Sequence, residues 1–344
     1  MTAMGVGEIR EVGAAAFAWL SAHRADFALG EDAFTADGHV DVTWKPLGEL
    51  AQTCQSVRSH LAPSDPLHAC ASDLLRFAWQ QTGRGELFVR LQRLEPFATY
   101  PLEVYSVFAA AGLRHPGYEA AAATTARTRG WRLTEQEPTR RLGVLKAERR
   151  SGIHRPDESA QVLRRTWLGG LPEPWTFERS SGYALTHVVF HVTDWGRTPA
   201  GVPADVAAYL EHWLPSWLDT CLDAGMWDLS CELLVVAASL PDPPDLATFR
   251  SAWTRIATAQ HDSGALPQEA PPEDPKDPED PEDPGPEPDF LHCYHSTLMA
   301  AFAAAQTLKR LSGATDDDTE AGGAGHASYA GRTHTRHGGQ GVPG

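Results

Sequence analysis

The chain predicts an all-α fold of about six helical hairpins, on three observations. Long segments rich in Ala and Leu carry apolar residues at spacings of three and four, the pattern of a helix with one buried face. No run alternates apolar and polar residues as a half-buried strand does. Polar or charged residues also open a shorter, more apolar helix at a recurring interval. Glu49, Glu103, Pro138, His187, Glu232 and His295 are separated by 54, 35, 49, 45 and 63 residues, the last interval swollen by an acidic insert. Such a spacing is the size of a helical-repeat unit, in which each pair buries its face against its neighbours.

The elements follow in order. Helix 8–27 is amphipathic and carries Phe17 and Trp19, and helix 47–61 starts just past Pro46. Pro66, Pro101, Pro138 and Pro156 open helices 66–82, 101–113, 138–150 and 156–168, and Pro116 precedes 117–130. A helix start tolerates proline and a helix interior does not. Helices 183–195, 204–223, 228–240, 245–261 and 291–311 complete the set, with Pro203 before the second of them. The Trp-bearing members, around Trp19, Trp79, Trp217 and Trp253, read as outer helices, and the more apolar partners as inner ones.

Charge and composition exclude several classes. The formal net charge is −16, from 29 basic and 45 acidic residues. Residues 267–289 alone hold ten acidic residues, one Lys and nine Pro, which predicts an extended, self-repelling insert. The segment 313–344 has nine Gly and reads as a disordered tail, leaving 1–312 as one helical domain. With no basic stripe, nucleic acid is not an expected partner. No run approaches the ~20 apolar residues of a membrane span. Five cysteines without a CxxC pair argue against a disulfide framework or a zinc ribbon and for a reducing cytoplasm. Glu8 and Glu11 ahead of the first apolar stretch fit a helix better than a signal peptide.

The strongest chemical signal lies in helix 183–195. Tyr183, His187, His191 and Asp194 form one polar stripe on a helix whose other surfaces carry Leu185, Val188, Val189 and Val192. A polar stripe on a buried helix must face polar neighbours or a wet cavity. Two readings stay open, a hydrogen-bonded core network and a site. In the second, His187 and His191 are acid/base groups or ligands and Asp194 orients an imidazole. Glu49 beside Lys45, Glu232 beside Cys231, and His295 beside Tyr294 open other inner helices, although a carboxylate at a helix start also serves as a cap. Trp167 and Trp195 flank the His-bearing helix and offer either a ligand groove or core packing. No phosphate loop, GxSxG elbow or HExxH motif occurs.

Trp253, the stretch Gln260-His261-Asp262-Ser263-Gly264-Ala265-Leu266, and Tyr294-His295-Ser296-Thr297-Leu298 with its Ala-rich continuation resemble the repeat junction of α/α-toroid proteins. That group includes terpene cyclases, protein prenyltransferase β subunits, thioester-domain proteins and lanthionine cyclases. Thr186-His187-Val188-Val189-Phe190-His191-Val192-Thr193-Asp194-Trp195-Gly196 is similar to a signature of actinobacterial proteins. The resemblance implies a ring of hairpins whose inner helices run parallel, so that His187, His191, Asp194, Glu232 and His295 would meet at one mouth, with Tyr183, Trp167, Trp195, Glu49 and Tyr294 contacting a ligand. It implies a tailoring enzyme of secondary metabolism, of the peptide-modifying, thioether-forming cyclase type. The alternative is a helical module that binds a peptide or protein partner without catalysis. A zinc held by His187, Cys231 and His295 stands as an open but unfavoured option, because the glycine-flanked cysteine and histidine motifs of lanthionine cyclases are absent.

Overall fold

The computed structural model describes residues 3–30, 33, 40, 43–156, 158–243, 249–270 and 289–323. These residues are all-helical, with helices α1 (Ala3–Ala22), α2 (Trp44–His60), α3 (Pro66–Gln81), α4 (Glu86–Leu94), α5 (Tyr100–Ala110), α6 (Pro116–Ala126), α7 (Arg129–Leu133), α8 (Pro138–Arg150), α9 (Ser159–Leu163), α10 (Arg179–Val192), α11 (Ala204–Asp223), α12 (Trp227–Ser239), α13 (Arg250–Ala259) and α14 (Phe290–Gly323). Side-chain caps define several starts. Asp65 accepts from the Leu67 amide ahead of α3, and Glu137 accepts from the Thr139 and Arg140 amides ahead of α8, satisfying donors that have no partner inside the helix. Among the described residues no helix is long and apolar enough to cross a membrane.

Two kinds of helix follow from the sequence pattern. In α12 every residue from Asp228 to Ser239 is buried, and α8 is buried from Thr139 through Glu148 except for Arg140. Such helices are wrapped by others. Contacts run from α2 to α5, α8, α10, α12 and α14 in turn, and α14 returns to α2. Each of the six carries one of the six residues that mark the repeat. Other helices cover this circuit from outside, with α1 on α14, α3 on α2, α9 on α8 and α11 on α12. The buried apolar side chains form one cluster from Ile9 to Leu308.

Several elements differ from expectation. Helix α4 lies between the helices expected over 66–82 and 101–113, where the sequence predicts none; it is short, and buries Phe88 and Leu91. The helix expected over 156–168 shrinks to Ser159–Leu163, because Gly169 folds back so closely on the Leu163 carbonyl that a Cβ would overlap it. The helix expected to reach residue 195 ends at Val192, and Asp194, Trp195 and Gly196 turn left-handed at φ 51°, 60° and 78°. Helix α14 continues to Gly323, into the segment expected as a tail. Residues 271–288 of the acidic insert and the tail from 324 onward lie outside the described residues.

Candidate active site

A cavity of about 470 Å³ opens among the inner helices. Glu49, Glu103, Arg140, Glu232 and His295 line it, and each lies within the first six residues of α2, α5, α8, α12 or α14. Their starts meet at one place, so these helices run in the same sense and direct the positive ends of their dipoles to the cavity. Three glutamates at that end offset this field. The volume lies within the range of small-molecule sites.

His295 stands between two carboxylates. Its Nδ1–H donates to Glu49 Oε2 at 3.2 Å and its Nε2–H to Glu232 Oε1 at 3.2 Å. Burial opposes the charged imidazole, but the two glutamates outweigh it and hold His295 well above the usual histidine range. Burial likewise raises both carboxyls, and their contacts with His295 reverse that effect, so Glu49 and Glu232 ionise more readily than usual. Thr186 Oγ1 donates to the other oxygen of Glu232, whose side chain is 1% exposed. The three groups form a fixed minus–plus–minus chain linking α2, α14 and α12.

The opposite wall has a different character. His191 is held far below the usual histidine range by burial first and then by Lys146, His187, Arg140 and Arg150, so it is neutral at pH 7. Its Nδ1 is buried and has no hydrogen-bond partner among the described residues. Gly143 of α8 permits this placement. A Cβ there would lie 3.1 Å from His191 Cε1 and Nε2 and 3.3 Å from Glu103 Oε2. Glu103 in turn accepts from Arg140 at 2.8 Å. Lys146, 6% exposed, lies over the Trp195 ring at 5.3 Å. Burial, Arg150 and Arg149 bring its ammonium down to about 7. His187 is exposed to the cavity, its ring 6.2 Å from that of His191.

The left-handed turn after α10 supplies the floor. Two non-glycine residues in that conformation are costly, about 1–2 kcal/mol each. The turn is held by Arg150 Nε donating to Asp194 Oδ1 at 2.7 Å and by His60 Nε2 donating to the Trp195 carbonyl at 2.9 Å. Trp195 thereby enters the cavity. Asp194 leaves the histidine stripe and faces a second cavity of about 440 Å³ with Arg149, Arg150 and Thr198. Lys146 and His191 line both cavities.

The expected site residues therefore divide. His187, His191, Glu232, His295, Glu49 and Trp195 share the cavity. Asp194 does not orient an imidazole, because the reversed backbone hands its carboxylate to Arg150 and Arg197. Tyr183 does not line the cavity; its hydroxyl donates to Asp228 Oδ2 at 2.7 Å. Trp167 packs on Phe177 and Trp217, and Tyr294 packs on Phe290 and Phe27 while bonding Glu49 from behind. Cys231 is fully buried outside the cavity, its thiol pushed well up by burial. Both nitrogens of His295 are occupied by carboxylates, and among the described residues no three His, Cys, Asp or Glu side chains are arranged to hold a metal ion. The proposed zinc set of His187, Cys231 and His295 does not fit.

Lys146 and Arg140 are cavity residues that the sequence reading does not single out. The available signal was the burial expected all round an inner helix, which makes any lysine within Leu142-Gly143-Val144-Leu145-Lys146-Ala147 a group in need of a polar outlet.

Fold and site together define an all-α protein with a ligand-sized cavity that gathers acid, base and cation from six inner helices. A family model described as Domain of unknown function (DUF6895) matches residues 13–305, which include every cavity residue named above, and the chain belongs to that family. No curated protein and no solved structure matches it.

Proposed function

We propose that the protein is an enzyme that moves protons on a small molecule or peptide segment held among the inner helices. The observation that carries this reading is a single cavity in which one histidine is held as a cation and another is held neutral. Environments that push titratable groups apart are how a site assigns acid and base roles at one pH. Neutral His191 accepts a proton, with His187 beside it to exchange that proton with solvent. His295 spends both N–H groups on Glu49 and Glu232 and fixes that wall, while Arg140, half exposed at the cavity, stabilises negative charge developing on the ligand. The apolar side chains of Val104, Val107 and Met299 contact the ligand's carbon skeleton. A tailoring step on a peptide or related metabolite, including ring closure, falls within this chemistry. Zinc-activated thiol addition does not, since the donor set does not fit a metal and no cysteine lines the cavity.

The test screens metabolites and short peptides by thermal shift and follows each hit for product by mass spectrometry. His191→Gln is expected to retain ligand binding and fold stability within about 1–2 kcal/mol. Its turnover should fall by about 10²–10⁴-fold, the usual contribution of a positioned base. Hits that bind without ever being converted, in wild type and variant alike, would overturn the enzyme reading in favour of a binding module.

A further inference from the structure

We propose that Lys146 is a covalent nucleophile for carbonyl compounds, so that the substrates of this cavity include an aldehyde or ketone. The inference rests on the enzyme reading above and names a substrate class for the same site.

Three observations point to it independently of any titration. The chain has 29 basic residues, of which only Lys45, Lys146, Lys276 and Lys309 are lysines. Arginine is thus the cation used almost everywhere, yet the most buried cation lining the cavity is a lysine, whose amine can lose its proton as a guanidinium cannot. Secondly, among the described residues Lys146 has no hydrogen bond or ion pair. Its neighbour is the face of Trp195, brought there by a strained left-handed turn that two further contacts hold in place. A lysine serving structure would be paired with a carboxylate; Glu103 is bound by Arg140 and Asp194 by Arg150. Thirdly, Lys146 and His191 both line the two cavities, which offers one route for a carbonyl compound to enter and another for a released water to leave.

The charged and titratable groups around it are Arg149 and Arg150 on its own helix, Glu103 on α5, His191 on α10 and Asp194 in the turn. Burial and the two arginines leave about half of the amine uncharged near pH 7, whereas an ordinary lysine is neutral to about one part in 10³ there. The chemistry balances without an added oxidant. The amine lone pair forms a C–N bond, the carbonyl π pair moves to oxygen, and the nitrogen proton passes to that oxygen. The nitrogen then expels the hydroxyl as water, its remaining proton passing through neutral His191 to that oxygen, which leaves the neutral imine.

The experiment incubates the full-length protein at pH 7 with benzaldehyde and cyanoborohydride, which reduces any imine to a stable benzylamine, and maps the modified lysines by peptide mass spectrometry. Lys146 should be modified at least about tenfold faster than Lys45, which is exposed at the mouth of the same cavity, and than Lys309. Lys146→Met should lose the fast event, keep the slow ones and remain folded. Should that variant not fold, preincubation of the wild type with an excess of benzyl alcohol, which matches benzaldehyde in shape but has no carbonyl, serves instead and must slow the fast event alone. Equal rates at Lys146 and Lys45 in folded protein overturn the inference. If small molecules still bind and turn over in that case, the acid–base reading stands by itself. If they neither bind nor react, both fail.

Discussion

Replacing His295 by Gln removes the cation that holds two carboxylates together. Glu232 bears most of the consequence: its side chain is 1% exposed and would keep only Thr186 as a partner. Breaking a buried pair by deleting one member costs about 3–5 kcal/mol, because the remaining charge is left uncompensated. Glu49, 24% exposed, can rehydrate and adds little. The expected loss at pH 7 is therefore about 3–5 kcal/mol, read as a lower urea midpoint with an unchanged slope. The pH dependence carries the sign. In the wild type the Glu232 carboxyl is depressed, so its contribution is present above the unfolded value of 4.5 and lost as pH falls through the folded one. His295 is raised, so its contribution is complete below 6.5 and lost as pH rises through its folded value. In the variant, burial of Glu232 is opposed only by Thr186 and His187 and raises its carboxyl, so from pH 6 to 5, where the wild-type His295 contribution is already complete, the deficit should shrink. Glu232→Gln combined with His295→Gln should recover more than half of the loss. A deficit below about 1 kcal/mol at pH 7, or one that grows between pH 6 and 5, would show that Glu232 is not left as an uncompensated buried charge.

Other perturbations separate the parts of the site. Gly143→Ala places a methyl 3.1 Å from the His191 ring, so turnover of any substrate found should fall by about tenfold or more while stability, measured by denaturant, changes by about 1–2 kcal/mol. Asp194→Ala leaves the Arg150 guanidinium, 6% exposed, with only Gln52 and keeps a left-handed backbone on a residue that tolerates it poorly; equilibrium unfolding should show a loss of about 3 kcal/mol. Cys231→Ala should leave ligand affinity and turnover unchanged within about twofold, since Cys231 does not line the cavity.

Much of the fold was legible because an inner helix announces itself. A helix apolar on all sides but opening with a polar residue has only one stable location, and Glu49, Glu103, Pro138, His187, Glu232 and His295 each mark one of the six helices of the contact circuit. Their convergence could be expected from the α/α-toroid resemblance once the helices were taken as parallel. The pairing of His295 with both glutamates could not, because three residues separated by 183 and 63 positions meet only through tertiary packing. Asp194 went astray for a local reason. Periodicity extends a helical stripe through any residue of suitable polarity, and nothing in Val192-Thr193-Asp194-Trp195-Gly196 except the final glycine signals the left-handed reversal. Lys146 was hidden by its neighbours, since Arg149 and Arg150 make its helix look like a charged surface segment although most of it is buried.

The central claim is that one cavity holds two histidines in opposite protonation states, and nitrogen-15 NMR of labelled histidine resolves it directly. At pH 6.5, where an ordinary histidine is half charged, His295 is expected as an imidazolium with both nitrogens protonated and His191 as a neutral ring, the two assigned through His295→Gln and His191→Gln. Two histidines that both titrate near 6.5 would contradict it.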